Sequence, residues 1–110
     1  MKNRETTFGK IIYNARKHKN LNLRQCAALI MKEDNTPISF QYLNNVEKDR
    51  KKPPSEYIIN QLSKVLDVPI ELLYFYAEIF PKNLDKNADK DKIIEAYKYF
   101  VKSLAQKTRA

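Results

Sequence analysis

Ser39-Phe40-Gln41-Tyr42-Leu43-Asn44-Asn45-Val46-Glu47, followed by Lys48-Asp49-Arg50-Lys51-Lys52-Pro53-Pro54-Ser55, is the stretch on which the reading of this chain turns. Ser39 is a good N-cap residue, because its hydroxyl can accept from a free backbone N–H of a first helical turn. Leu43 and Val46 stand three apart and supply one apolar stripe. Gln41, Asn44 and Asn45 project amides on other sides. A primary amide carries both a donor and an acceptor, the pair that adenine presents in the major groove of a duplex. The helix should end near Lys48, since Pro53-Pro54 forbids its continuation and forces an extended segment. The cationic cluster between helix and prolines is suited to phosphate.

Working outward, the segment upstream reads as a second, shorter helix. Asn22 resembles an N-cap, and Gln25 three residues later completes a capping-box pattern. That helix is expected to run to about Met31 and to bury Cys26, Ala27 and Ile30, with Ala27 and Ala28 small enough for another helix to cross closely. Lys32 to Pro37 is polar, and Asn35-Thr36-Pro37 is a turn signal. Further upstream, a helix from about Thr7 to His18 places Phe8, Ile11, Ile12 and Ala15 on one face, with Arg16, Lys17 and Lys19 near its end. Gly9 inside it is mildly costly and lets another element approach closely.

Downstream, Ser55 is expected to cap a fourth helix with a buried stripe of Ile58, Ile59, Leu62, Val65 and Leu66. Asp67-Val68-Pro69 breaks the chain, and Pro69 suits the first position of a fifth helix. In that helix Ile70, Leu73, Tyr76, Ala77 and Phe80 should face inward, and Pro81 should end it. A polar, turn-like stretch follows. A last helix, from about Asp89 to Gln106, carries the stripe Ile93, Ile94, Tyr97, Phe100, Val101 and Leu104. No segment alternates convincingly as a strand. The expected class is all-α, with residues 1–80 as one domain and 81–110 as a linker and terminal helix.

Bulk properties narrow the function. The chain has 110 residues, 43% of them hydrophobic, a formal net charge of +8 and a single cysteine. This length allows one modest core. The basic excess implies an anionic partner, and it is concentrated in two runs, Arg16 to Arg24 and Lys48 to Lys52, that flank the helix-turn-helix candidate. One cysteine allows no intrachain disulfide, and Cys26 reads as a small buried hydrophobe. No apolar run is long enough to span a membrane. The polar N-terminus lacks a signal-peptide core. These features point to a reducing cytoplasm.

Leu21-Asn22-Leu23-Arg24-Gln25-Cys26-Ala27, then Ile38 to Glu47, then Lys52-Pro53-Pro54-Ser55, resembles the Cro/repressor-type helix-turn-helix of Xre-family transcriptional regulators. The likeness spans roughly residues 8–80. It implies a five-helix DNA-binding domain whose third helix lies in the major groove, with the C-terminal amphipathic helix as an addition. By this resemblance Ser39, Phe40, Gln41, Asn44 and Asn45 are base-reading candidates. Asn22, Arg24, Gln25, Tyr42, Lys48, Arg50, Lys51 and Lys52 are phosphate candidates. Arg16 and Glu47 match a structural ion pair joining the first and third helices. Phe40 replaces a common polar residue; it meets a thymine methyl or packs on its own helix. Asp49 stands where many relatives have glycine, and aspartate tolerates a left-handed backbone better than most residues. The turn between the two helices is several residues longer than usual and brings Glu33 and Asp34, which must point away from phosphate.

The terminal helix has two readings. It completes the core, or it mediates a homodimer through Tyr97, Phe100, Val101 and Leu104; the size of that stripe favours a share in dimerisation. Such regulators bind as two-fold dimers on near-palindromic sites. No enzyme signal is present. His18 has no partners for a metal site or a catalytic triad, and a single glycine rules out a glycine-rich phosphate loop. Tyr74, Phe75, Tyr76 and Phe80 read as core. No cofactor or metal is expected. The leading expectation is therefore a sequence-specific double-stranded-DNA-binding regulator, acting as a repressor. Its main rival is a protein–protein adaptor or antitoxin-like protein that uses the fold as a scaffold. A weaker option is single-stranded nucleic-acid binding through the tyrosines.

Overall fold

The computed structural model describes residues 5–105, and among them it contains six helices and no strand beyond one isolated antiparallel bridge. The chain divides into two compact units with the boundary between Phe80 and Pro81.

The first unit holds α1 (Phe8–His18), α2 (Leu23–Ala27), α3 (Phe40–Glu47), α4 (Glu56–Leu66) and α5 (Ile70–Ala77). Most of these helices start where the sequence supplies a polar cap. Thr7 accepts from the Lys10 N–H, Ser39 accepts from the Tyr42 N–H, and Asn22 and Gln25 form a reciprocal capping box. Ser55 occupies the N-cap of α4 without a side-chain hydrogen bond, and Pro69 sits at the N-cap of α5, one residue before the position expected of it. The apolar stripes converge on one core in which Ile12, Ile30, Leu43, Ile59, Leu62 and Leu73 are fully buried. Each such side chain contributes roughly 1.5–3 kcal/mol by leaving water. α1 packs on α3, α4 and α5, while α2 packs on α3.

Four helices end in the same way. Asn20, Asp49, Asp67 and Glu78 adopt left-handed φ values of 60°, 59°, 58° and 59°. After each, an N–H reaches back to the carbonyl five residues earlier: Leu21 to Arg16 at 3.2 Å, Arg50 to Asn45 at 2.8 Å, Val68 to Ser63 at 3.0 Å and Ile79 to Tyr74 at 3.0 Å. Glycine usually fills this left-handed position. Here the single glycine is spent inside α1, so residues with side chains take the turns.

Two elements depart from the sequence expectation. α2 stops at Ala27 rather than near Met31. The Leu29 and Ile30 N–H groups bond to Cys26 and Ala27, which tightens the last turn, and Ala28 is exposed rather than a crossing point. The chain then forms a small hairpin, with Met31 bridged to Pro37, the Ile38 N–H on the Ile30 carbonyl at 2.9 Å and the Lys32 N–H on the Thr36 carbonyl at 2.8 Å. Burial of both Ile30 and Ile38 selects this crossing over a longer helix. Asn35 turns the tip at φ 69°, and Thr36 donates to Asp34, holding that carboxyl below the ordinary aspartate range. The base is clamped from α4: the Gln61 amide accepts from the Met31 N–H at 2.7 Å and donates to the Met31 carbonyl at 2.8 Å.

The second departure is α5, which ends at Ala77. The left-handed Glu78 redirects the chain, so that Ile79 packs against the core while Phe80, expected to face inward, is 70% exposed.

In the second unit α6 (Lys90–Leu104) begins at Asp89, whose carboxylate accepts from the Asp91 and Lys92 N–H groups. Gln106, the expected end of this helix, lies outside the described residues. Ile93, Ile94, Tyr97, Phe100, Val101 and Leu104 are all exposed. No described helix is long and apolar enough to cross a membrane.

Candidate nucleic-acid interface

The orientation of α3 follows from what it buries. Leu43, Val46 and Glu47 turn inward. On a helical wheel the opposite side belongs to Gln41, Asn45 and Lys48, with Asn44 beside them. Gln41, Lys48 and Ser39 are exposed; Phe40, Tyr42, Asn44 and Asn45 are half-buried or deeper.

Three contacts fix this helix. Arg16 of α1 meets Glu47 in a buried two-pronged pair, Nε to Oε2 at 2.6 Å and Nη2 to Oε1 at 2.9 Å, while Nη1 donates to the Leu21 carbonyl at 2.8 Å. Those hydrogen bonds to Glu47 push the Arg16 guanidinium above its ordinary value against the opposing effect of burial. Among the described residues no buried side-chain nitrogen or oxygen lacks a hydrogen-bond partner. Arg16 is thereby consumed by the fold, which leaves Lys17 and Lys19 as the exposed cations at the end of α1.

The second contact is Gly9. A Cβ built there would lie 2.5 Å from the Glu47 and Val46 carbonyl oxygens and 2.6 Å from Asp49 Oδ1. Only a bare Cα lets α1 approach the end of α3 so closely. The third is Asp49 itself. Its carboxylate accepts from the Thr7 hydroxyl at 2.6 Å and from the Gly9 N–H at 3.0 Å, so the residue that turns the chain out of α3 also caps the start of α1. A carboxylate is favoured at a helix N-terminus. The sequence offered the left-handed tolerance of Asp49 but no sign of this second task. Nor did it hint at Gln61, whose long-range clamp has no local pattern.

The amide and cationic side chains fall into distinct settings. Gln41 and Asn44 sit among the outward positions of α3. Asn45 is engaged, because its amide oxygen accepts from the Arg50 guanidinium at 3.2 Å and its carbonyl receives the Arg50 and Lys51 N–H groups. That arrangement folds the basic exit back along the end of α3. Lys48, Arg50, Lys51 and Lys52 are all exposed there. Asn22 and Gln25 are exposed at the start of α2, and the capping box occupies their amide oxygens while leaving the N–H₂ groups outside it. Tyr42 packs against the core, and burial pushes its phenol up. Phe40 does neither of the two things expected of it alone: its ring carries the Arg24 guanidinium 3.9 Å from the centroid.

The whole reading unit is thus one exposed surface made from the start of α2, the outward side of α3 and the basic exit. Comparison with known proteins bears on the family and the fold. A helix-turn-helix family model (HTH_3) matches residues 12–73, from the middle of α1 into α5. A solved structure described as a SinR protein/SinI protein complex is similar in fold, with a TM-score of 0.52 and 21% identity over 91% of this chain and 100% of the other. No curated protein matches the chain. With more than half of its length matched and the paired helices in place, this chain belongs to the helix-turn-helix family of the Xre/Cro type, a family of DNA-binding regulators.

Proposed function

We propose that the protein is a sequence-specific regulator that represses transcription by occupying a near-palindromic operator, with α3 in the major groove and no chemical step of its own. The observation that carries the reading is the outward side of α3. It bears amides at Gln41 and Asn44, it is immobilised by the buried Arg16–Glu47 pair, and it leads directly into four exposed cations. Rigid placement matters because base edges are read by directional hydrogen bonds. In this reading Ser39, Gln41 and Asn44 touch bases, and Lys48, Arg50, Lys51 and Lys52 grip the phosphates on one side. Asn22 and Gln25 meet the backbone on the other. Asn45 acts chiefly by orienting Arg50. Repression is steric, in the cytoplasm where the duplex lies.

A homodimer completes the proposal, joined through the apolar row of α6 at Tyr97, Phe100, Val101 and Leu104, whose exposure runs from 49% to 58%. The rival reading is capture of a different protein by the same row. It is favoured by the fold relative, a structure described as a complex of two proteins.

Selection of random duplexes with the purified protein tests the reading. A short symmetric site should be enriched. Replacing Gln41 with alanine should erase the preference at its position while leaving non-specific binding intact. Replacing Lys51 and Lys52 with alanine should lower the slope of log affinity against log salt by about one to two units. An adaptor would enrich no duplex and would retain one protein through purification.

A further inference from the structure

We propose that Arg24 reads a base rather than gripping a phosphate. Its guanidinium, laid against Phe40, is pre-aligned for the O6 and N7 edge of a guanine in the operator half-site. The inference rests on the DNA-binding reading above and adds a specificity determinant to it.

Arg24 is the second residue of α2 and Phe40 the first of α3, so the stack joins the two helices of the reading unit at their N-terminal ends. At 3.9 Å from the ring centroid the guanidinium is in close contact with the aromatic face. Phe40 is half-buried and packs against the core, which makes its ring a fixed platform. Arg24 remains exposed, and among the described residues no carboxylate pairs with it. The neighbouring Gln41 is exposed on the outward side of the same helix as Phe40.

Each part of this arrangement has a physical consequence. A guanidinium whose carbon lies 3.9 Å over the ring centroid still has N–H donors at its outer edge that the ring does not use. The contact also biases a long side chain towards one placement before any ligand arrives, by about two- to fivefold at an exposed site. A phosphate oxygen accepts from many directions and gains little from such alignment, and a mobile lysine serves it as well. A guanine edge demands two parallel, coplanar donors, which is the fork that a stacked arginine presents. Phe40 thereby supports a reader instead of reading.

The test is duplex selection with the full chain and with Arg24→Ala, Arg24→Lys and Phe40→Leu, each first checked by thermal denaturation. The site enriched by the parent protein should contain a guanine whose preference falls about ten- to a hundredfold in Arg24→Ala, while the other positions persist. Arg24→Lys should recover only part of it, since lysine keeps the charge without the fork. Phe40→Leu should weaken the same position. If Arg24→Ala keeps every preference, binds all sequences uniformly more weakly, and is restored by Arg24→Lys, Arg24 is a phosphate contact; the proposal falls and DNA recognition stands. If the parent protein enriches no site, both fall. Should Arg24→Ala not fold, Arg24→Lys carries the decision, because a phosphate role leaves the guanine preference unchanged in it. Phe40→Leu adds to it only through that same guanine, since a Phe40 that read a base itself would alter a thymine preference instead.

Discussion

Replacing Gly9 with alanine pits two effects of opposite sign against each other. In an exposed helix interior the change stabilises by about 0.8–1.0 kcal/mol, because alanine loses less backbone freedom on folding. At this site the new methyl would stand 2.5 Å from two backbone carbonyl oxygens and 2.6 Å from the Asp49 carboxylate. Ordinary contact needs roughly 3.5 Å, so α1 and the end of α3 must separate by about 1 Å. Such overpacking costs about 1–3 kcal/mol, and the stretched Gly9–Asp49 hydrogen bond adds about 1 kcal/mol. The carbonyls belong to the α3 backbone and cannot swing aside as a flexible side chain would. The net expectation is a loss of roughly 1–3 kcal/mol. The thermal midpoint should drop by about 4–8 °C for each kcal/mol in a domain of this size. Urea denaturation followed by circular dichroism measures the first quantity, and a thermal scan the second. The same variant should bind duplex more weakly even at temperatures where it is fully folded, since the displaced segment carries Lys48 and Arg50. A gain of stability near the alanine increment would refute the reasoning, because it would mean that α1 and α3 have room between them.

Glu47→Gln should cost about 3–5 kcal/mol by leaving Arg16 charged and poorly paired in the interior; the double variant Arg16→Met/Glu47→Leu should lose much less than the two single changes summed, and simple additivity in urea melts would contradict the coupling. Burial raises the Cys26 thiol to about 11, so the native protein should resist a thiol reagent at mildly alkaline pH and react fully once unfolded in guanidinium; rapid labelling of the folded form would contradict it. The sign for stability follows: the unfolded chain releases that proton first, so this contribution is full below the ordinary thiol value of 9.0 and is lost as pH rises towards 11. Glu78→Gly should raise the thermal midpoint by relieving a left-handed non-glycine residue, a gain of about 1 kcal/mol; a lower midpoint would show that the glutamate side chain holds the turn.

Much of the architecture was legible because it was local. Caps at Asn22 and Ser39 announce two helix starts through side chains that serve a backbone only three residues away. Ser55, read the same way, holds the N-cap position without a side-chain bond, and the caps at Thr7 and Asp89 read only as the approximate first residues of their helices. The stripe of α4 reads correctly because it too is local. Helix ends were less legible. α2 and α5 both close several residues early, and each stops where a tertiary demand intervenes: Ile30 and Ile38 pull the chain into a hairpin, and Ile79 displaces Phe80 from the interior. The recognition surface divides along the same line. The identity of α3 and its basic exit could be read from residue types and their spacing. Its setting could not, because Asp49 reaches back 42 residues to Thr7, Gln61 reaches 30 residues to Met31, and the Arg24–Phe40 contact joins two helices across the hairpin at Met31 to Pro37.

That hairpin has a consequence for how such a protein can change. Gln61 fastens Met31 at the root, so whatever is added to or removed from Glu33, Asp34 and Asn35 is absorbed beyond the fastening and is not transmitted to the angle between α2 and α3. The tip is therefore a tolerant graft point, open to length variation, epitope insertion or a fluorophore, whereas a single residue inserted between the buried Ile38 and the cap at Ser39 would displace the start of α3 from the core that seats it.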